Sequence, residues 1–177
     1  MNFAAQVQYE QNICHKIVLL LTTEHDDASG KKGESMFKNV CVAFDGSDNA
    51  YRAFDFALDL TGLCAPVQLS VVSVAVPPEL PDVEASVHLD AVMNAIMQDY
   101  EKHFKKLTEK AQAQNLTIKT DIRTGHAVEQ ILTYLKGNNC DMVILGRTGK
   151  GGIEELLAGS VSRGITRYAP CTVTIVK

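Results

Sequence analysis

The chain has 177 residues, of which 46% are hydrophobic and 21% charged, so it can bury one good core and is expected to form one folded domain. A formal net charge of −4 excludes the basic footprint of a nucleic-acid-binding protein. The longest aliphatic run, Ile17 to Leu21, is far too short to span a membrane, and the N-terminus lacks the pattern of a secretory signal. Five widely spaced cysteines show no CxxC pair and no histidine at zinc spacing. We therefore expect a cytoplasmic protein without a protein-held metal.

The first part of the chain differs in character from the rest. Glu24 to Ser35 is polar, contains glycine and resembles a linker, and Met36 stands immediately before the first clear strand. We predict that residues 36–177 form the functional domain. Residues 1–35 form either an appended arm of unassigned role or a segment outside the functional unit.

Strand patterns and helix patterns alternate through the rest of the chain. Short apolar runs predict strands at Asn39–Phe44, Val67–Val76, Leu116–Ile122, Met142–Leu145 and Thr172–Val176. Helical spacing predicts helices after Asp45-Gly46-Ser47, at Leu89–Gln114, at Ala127–Lys136 and at Val161–Tyr168. Ser47 or Asp48 can cap the first helix. This order predicts an α/β fold, an open parallel sheet with helices on both faces.

Two elements carry a readable burial pattern. The long helix has one apolar stripe, formed by Val92, Ile96, Tyr100, Phe104, Leu107 and Ala111. The third strand alternates apolar and polar residues, which favours a position near a sheet edge.

Six of the 12 glycines lie between positions 146 and 164, directly after the fourth strand. Glycine is costly in ordered backbone unless the chain turns tightly or approaches another group closely. Exposed amides in such a loop, followed by a helix start, make an anion-binding site. The alternative interpretation is a flexible surface loop.

Gly146, Gly149 and Gly159-Ser160 are spaced G-x2-G-x9-G-[ST], and a short strand ends the sequence. This pattern resembles the ATP-binding branch of the universal stress protein family. It differs from G-x4-G-K-[ST] and from a G-x-G-x-x-G turn. The resemblance implies an open, doubly wound, five-stranded parallel sheet with strand order 3-2-1-4-5. Strands one and four would then flank the crevice where such sheets bind ligands.

The resemblance also implies a role for individual residues. Asp45 would hold the adenosine portion of ATP, although a local capping role for Asp45 is the alternative. Ala43 and Phe44 would lie beside the base through their backbone, and the main chain of Val74 would meet adenine.

The phosphates would lie at the glycine motif. Gly146 and Gly149 would let the backbone approach them, so Gly146→Val is expected to abolish ATP binding and leave the fold largely intact. Gly159, Ser160 and Val161 would offer amides at a helix start, where the Ser160 hydroxyl can cap the helix or touch a phosphate. Arg147 and Lys150 stand at variable positions of the motif and could pair with phosphate oxygens, although an exposed loop cation usually makes weak, solvated contacts.

These features predict an ATP-binding regulatory protein, with any Mg²⁺ carried by the phosphates. Nothing in the sequence forms a catalytic triad or a paired-carboxylate site, and we interpret His126 as structural. The alternatives are a slow ATPase using the same pocket and a dimerising module without nucleotide.

We also expect a homodimer. The β-branched strand Thr172–Val176 should form an exposed sheet edge that pairs with itself across a two-fold axis, as the resemblance implies. Thr174→Pro should then disrupt the dimer. The rival interpretation is that residues 1–35 cover an edge.

Overall fold

A computed structural model of the chain describes residues 37–63, 67–78, 89–149 and 159–177. The strands are β1 (Asn39–Ala43), β2 (Gln68–Ala75), β3 (Ile118–Thr124), β4 (Met142–Gly146) and β5 (Thr172–Val176). The helices are α1 (Asp48–Leu63), α2 (Leu89–Gln112), α3 (Ala127–Gly137) and α4 (Ser160–Tyr168). The proposed arm at residues 1–35 lies outside the described residues.

The five strands form one parallel sheet in the order β3-β2-β1-β4-β5, as predicted. The chain winds outward from β1 through β2 to β3, then returns to the other side of β1 with β4 and β5. β1 and β4 are therefore neighbours at the point where the winding reverses. Both carboxyl ends open at the same edge of the sheet, which is where ligands bind in folds of this kind.

Helices cover the two faces of the sheet, and β1 contributes to both cores. Val40, Val42 and Phe44 pack into the core beneath α1 and α2. Cys41 and Ala43 point to the opposite face and pack with α3 and α4. This alternation follows from the pleat of a strand, and burial on both faces explains why the run is continuously apolar.

The apolar stripe of α2 is buried over only part of its length. Phe104, Leu107 and Ala111 are buried as predicted, whereas Val92 is 42% exposed. A helix of 24 residues spans about 36 Å, longer than the roughly 26 Å of the eight-residue strand β2. The first turns of α2 therefore extend past the core. No helix in the described part of the chain combines the length and apolarity needed to cross a bilayer.

The strand β5 lies at one edge of the sheet, as expected. The Thr172 amide donates to the Asp141 carbonyl at 3.1 Å, and the Arg147 amide donates to the Val176 carbonyl at 2.8 Å. Residues 172, 174 and 176 thus direct their main-chain groups toward β4, because the groups of successive residues alternate between the two sides of a strand. The expectation for Thr174→Pro needs correction: its amide faces β4, and the amide of Ile175 faces the open edge.

Candidate functional site

A cavity of about 420 Å³ opens where β1 and β4 end. Of the residues that the sequence analysis assigned to a site, nine line this cavity: Ala43, Phe44, Asp45, Val74, Gly146, Gly149, Gly159, Ser160 and Val161. Arg147 belongs to the same loop but is not among the described residues that line the cavity. Lys150, its neighbour in the motif, lies outside the described residues.

Asp45 orders the turn between β1 and α1. Its Oδ1 accepts hydrogen bonds from the Ser47 amide at 3.0 Å and the Ser47 hydroxyl at 2.6 Å. Ser47 Oγ in turn accepts from the Ala50 amide at 3.2 Å, so Ser47 is the residue that caps α1. The capping role considered for Asp45 therefore belongs to Ser47, and Asp45 holds Ser47 in place through Oδ1.

Two glycines of the motif are required for different reasons. A Cβ on Gly149 would collide with Oδ2 of Asp45, so glycine here lets the loop cross directly over the carboxylate. A Cβ on Gly146 would lie 2.7 Å from Asn49 Cβ and 2.8 Å from the Asn49 carbonyl carbon. The expectation that Gly146→Val spares the fold is wrong, because Gly146 packs against the backbone of α1.

The glycine loop is tied to α1 by one side chain. Asn49 Nδ2 donates to the Thr148 carbonyl at 3.1 Å and to Thr148 Oγ1 at 2.7 Å. Thr148 is only 4% exposed and lines the cavity. Sequence reasoning missed both residues, because an asparagine in a helix and a threonine at a variable motif position carry no signal of their pairing.

The first turn of α4 forms the opposite wall of the cavity. Gly159 is the N-cap residue, with no side-chain cap hydrogen bond. Ser160 therefore does not cap the helix, which corrects one of its two expected roles. Ser162 Oγ instead contacts the Arg147 carbonyl at 2.8 Å and the Gly159 carbonyl at 3.1 Å, joining this turn to the glycine loop. The sequence analysis did not single out Ser162.

The other end of the cavity is lined by apolar side chains, and the main chain of β2 beyond the end of β1 adds a few polar groups. The apolar lining includes Ala43, Val72, Val74, Ala127, Ile131 and Leu145. The β1–β2 ladder stops here: the Phe44 amide donates to the Val72 carbonyl at 2.9 Å, and Ser73 Oγ donates to the Phe44 carbonyl at 2.7 Å. Beyond that point, the main chain of Val74 faces the side that β1 has vacated.

Tyr100 of α2 reaches this apolar end and lines the cavity. Its hydroxyl donates to the Val74 carbonyl at 3.3 Å. Burial raises the pKa of the Tyr100 phenol, and the carboxylates of Asp45 and Asp99 raise it further. The sequence placed Tyr100 on the apolar stripe of its helix, and nothing in the pattern distinguished it from a core residue.

Asp45 lines the cavity and lies against Gly149 at its glycine end. Its charge also helps to raise the pKa of the Tyr100 phenol, which lines the same cavity. Among the described residues, no group of three or more histidine, cysteine or carboxylate side chains is placed to hold a metal ion. The described side chains thus offer a site for an elongated ligand with an anionic end and an apolar end.

Known proteins share both the sequence pattern and the fold. The universal stress protein family profile matches residues 36–177. The universal stress protein MJ0531 of Methanocaldococcus jannaschii is 24% identical over 147 residues, covering 83% of this chain and 86% of that protein.

Solved structures agree with this relationship. The universal stress protein UspA of Lactobacillus plantarum superposes with a TM-score of 0.74 at 22% identity, covering 80% of this chain and 98% of that one. A universal stress protein in complex with cAMP superposes with a TM-score of 0.58 at 24% identity, covering 81% of this chain and 99% of that one. The chain belongs to the universal stress protein family.

Proposed function

We propose that this protein binds ATP in the cavity between β1 and β4 and acts as a nucleotide-dependent regulatory protein. The observation that carries the proposal is the polarity of the cavity. Main-chain amides and glycines lie at one end, apolar side chains lie at the other, and Asp45 lines the same cavity beside Gly149. A nucleotide has the same order of phosphate, sugar and base.

The phosphate end is formed by the glycine loop and the start of α4. The first amides of a helix have no intrahelical acceptor and carry a partial positive charge. At α4 the amides of Ser160 and Val161 meet this description, and both residues line the cavity. The Gly159 amide was expected to contact a phosphate as well, but it already donates to the Arg147 carbonyl at 2.9 Å. Because Gly149 has no side chain, the loop backbone approaches the same space without obstruction.

The base end offers one donor and one acceptor on a single residue. Because the amide and carbonyl of a residue in a parallel strand point to the same side, both groups of Val74 face the cavity beyond β1. Adenine presents the matching pair, a ring nitrogen that accepts and an amino group that donates. Guanine presents a donor and an acceptor in the opposite order at these two positions. In the same orientation, Val74 therefore favours adenine over guanine.

A related structure supports the choice of ligand. The universal stress protein that contains cAMP shares the fold of this chain and holds a ligand with the same adenine base and ribose. Any Mg²⁺ would be carried by the phosphate oxygens, since this ion favours phosphate and water ligands. The described side chains offer no metal cluster that would hold it independently.

The purified full chain provides the direct test. Denaturation should release adenine nucleotide detectable by mass and ultraviolet absorbance, or the nucleotide-free protein should bind ATP in calorimetry more tightly than GTP. Failure of ATP to bind nucleotide-free, folded protein would overturn the proposal. A single-turnover assay with radiolabelled ATP then separates a binding protein from a slow ATPase, because only the ATPase releases phosphate during one turnover.

We further propose a homodimer that forms through β5, because the two edges of the sheet differ in charge. The edge strand β3 carries Lys119, Asp121 and Arg123, with Arg123 Nε 3.1 Å from Asp121 Oδ2. Charged residues on an edge oppose pairing with another strand. The opposite edge, Thr172–Val176, has no charge, and Ile175 is 39% exposed. This edge is the better template for self-pairing.

The dimer is tested by light scattering on two proline variants. Ile175→Pro removes an amide that faces the open edge and should yield a monomer. Thr120→Pro is the matched control on β3, because the Gly125 amide donates to the Ala75 carbonyl and residue 120 therefore faces outward. A dimer that survives Ile175→Pro would contradict the β5 interface.

The domain boundary is a separate proposal. We expect residues 36–177 to fold and bind ATP without residues 1–35. If this shortened chain is insoluble or fails to bind ATP, residues 1–35 belong to the functional unit. If it is monomeric while full-length Ile175→Pro stays dimeric, the interface lies in the first 35 residues.

A further inference from the structure

We propose that Tyr100 is a specificity-determining residue of the cavity, because its hydroxyl donates to the base-recognition carbonyl of Val74. This inference rests on the proposed function. A ligand that donates to the Val74 carbonyl from the cavity side competes with the Tyr100 hydroxyl. The Tyr100 hydroxyl and the base therefore compete for one carbonyl, and this competition sets how strongly the base is bound.

The main chain of Val74 is available only because the neighbouring ladder ends. In a continuing ladder, the Phe44 carbonyl would accept the Val74 amide, since the Phe44 amide already bonds to the Val72 carbonyl. The Ser73 hydroxyl takes that place at 2.7 Å. The Val74 amide and carbonyl are thus directed into the cavity.

Tyr100 contacts the carbonyl of Val74. Its hydroxyl donates to the Val74 carbonyl at 3.3 Å. A carbonyl oxygen has two lone pairs, but Tyr100 and the bound base both reach the Val74 carbonyl from the cavity, so their donors compete for the same side of it. The amino group of adenine competes for the acceptor, whereas a purine without an amino group does not.

The competition predicts how each ligand responds when the hydroxyl is lost. In the wild type, the amino group replaces one hydrogen bond with another and gains little. In Tyr100→Phe, the carbonyl is exposed to water and the amino group gains a new contact. A hydrogen bond of ordinary strength corresponds to about a threefold to tenfold change in affinity.

The experiment measures two nucleotides on two proteins by calorimetry. ATP is compared with purine riboside triphosphate, which lacks only the exocyclic amino group. We expect Tyr100→Phe to raise ATP affinity about threefold to tenfold and to leave the affinity for the second nucleotide within about twofold. Circular dichroism and thermal unfolding establish that the variant is folded.

Tyr51→Phe is the matched control. Tyr51 also donates or accepts through its hydroxyl, at 2.6 Å from His103 Nδ1, but it does not line the cavity in the described structure. Its loss should affect the two nucleotides equally.

Each other outcome overturns the inference. Weaker ATP binding in Tyr100→Phe would make the hydroxyl a ligand contact, and an equal change for both nucleotides would make its effect one of packing. If wild-type protein binds neither nucleotide, the proposed function fails together with the inference. If it binds both and the variants do not differ, the inference alone fails.

Discussion

The two walls of the cavity are built on different principles. The wall formed by β1 and the start of α1 is fixed by side chains: Asp45 bonds Ser47, and Ser47 caps the helix. The wall formed by the glycine loop and α4 is shaped by the absence of side chains at Gly146 and Gly149. One wall thus tolerates changes that keep a hydrogen-bonding group, whereas the other tolerates almost no added volume.

The difference separates two kinds of glycine within one motif. Gly146 faces the backbone of α1, which cannot move without disturbing the core, while Gly149 faces the end of one carboxylate. A rigid neighbour makes a glycine structural, and a flexible neighbour at a cavity makes it functional. Substitutions on each wall test this distinction.

The largest expected effect is the loss of the fold in Gly146→Val. A Cβ at 2.7 Å from Asn49 Cβ requires α1 to move away from β4, which should cost about 3 kcal/mol or more of unfolding free energy. Urea unfolding followed by circular dichroism measures this. Gly137→Val is the control, because a Cβ at Gly137 has no atom within 4 Å. Equal stability of the two variants would show that α1 adapts.

Gly149→Val should separate binding from stability. The added side chain displaces the Asp45 carboxylate and fills the space next to it, so ATP affinity should fall by about a hundredfold or more. The unfolding free energy should fall by only about 1–2 kcal/mol, less than in Gly146→Val, because moving the carboxylate disturbs its bonds to Ser47 but not the core. A variant that binds ATP normally would remove the glycine loop from the phosphate site.

Asp45 tests the wall that depends on side chains. Asp45→Ala should weaken ATP and adenosine alike, by about tenfold to a hundredfold, because a charge-assisted hydrogen bond to the sugar is lost. Asp45→Asn is the matched variant, since its amide oxygen can still accept from Ser47 and preserve the turn. Calorimetry with both ligands provides the measurement. If only ATP binding falls, the carboxylate acts at the phosphates and the sugar role is wrong.

The strand order could be predicted because the glycine motif resembles that of a known family. The location of the glycine loop beside the cavity could be predicted because the loop directly follows a strand pattern. The sequence pattern placed β3 two residues too early, at Leu116 instead of Ile118. Asn115 adopts a left-handed conformation with φ 59°, and the Leu116 amide bonds to the Ala111 carbonyl, so Leu116 belongs to the capping turn that follows α2. The asparagine was a usable signal for this turn.

The contacts between the two walls had no such signature. Asn49 and Thr148 are 99 residues apart, and their pairing depends on the distance between α1 and β4 that Gly146 sets. In the sequence, Tyr100 likewise looked like one more apolar position of α2. Its contact with the Val74 carbonyl arises only because β2 extends beyond the end of β1. The spacing of residues in a sequence shows which face of one helix or strand is buried. It does not show contacts between different helices and strands, and these residues make contacts of that kind.

Asn49→Ala should have the smallest effect, since it loosens the link between the walls without filling the cavity. Loss of the bonds at 3.1 Å and 2.7 Å to Thr148 should lower the unfolding free energy by about 1–2 kcal/mol. ATP affinity should fall about threefold to tenfold and adenosine affinity by less than about twofold, because the freed loop belongs to the phosphate end. Arg52→Ala is the control: it removes only the exposed contact at 3.3 Å between Arg52 and Asn49 Oδ1, which contributes little. If Asn49→Ala weakens adenosine as much as ATP, the link positions the whole cavity, and the two walls do not act separately.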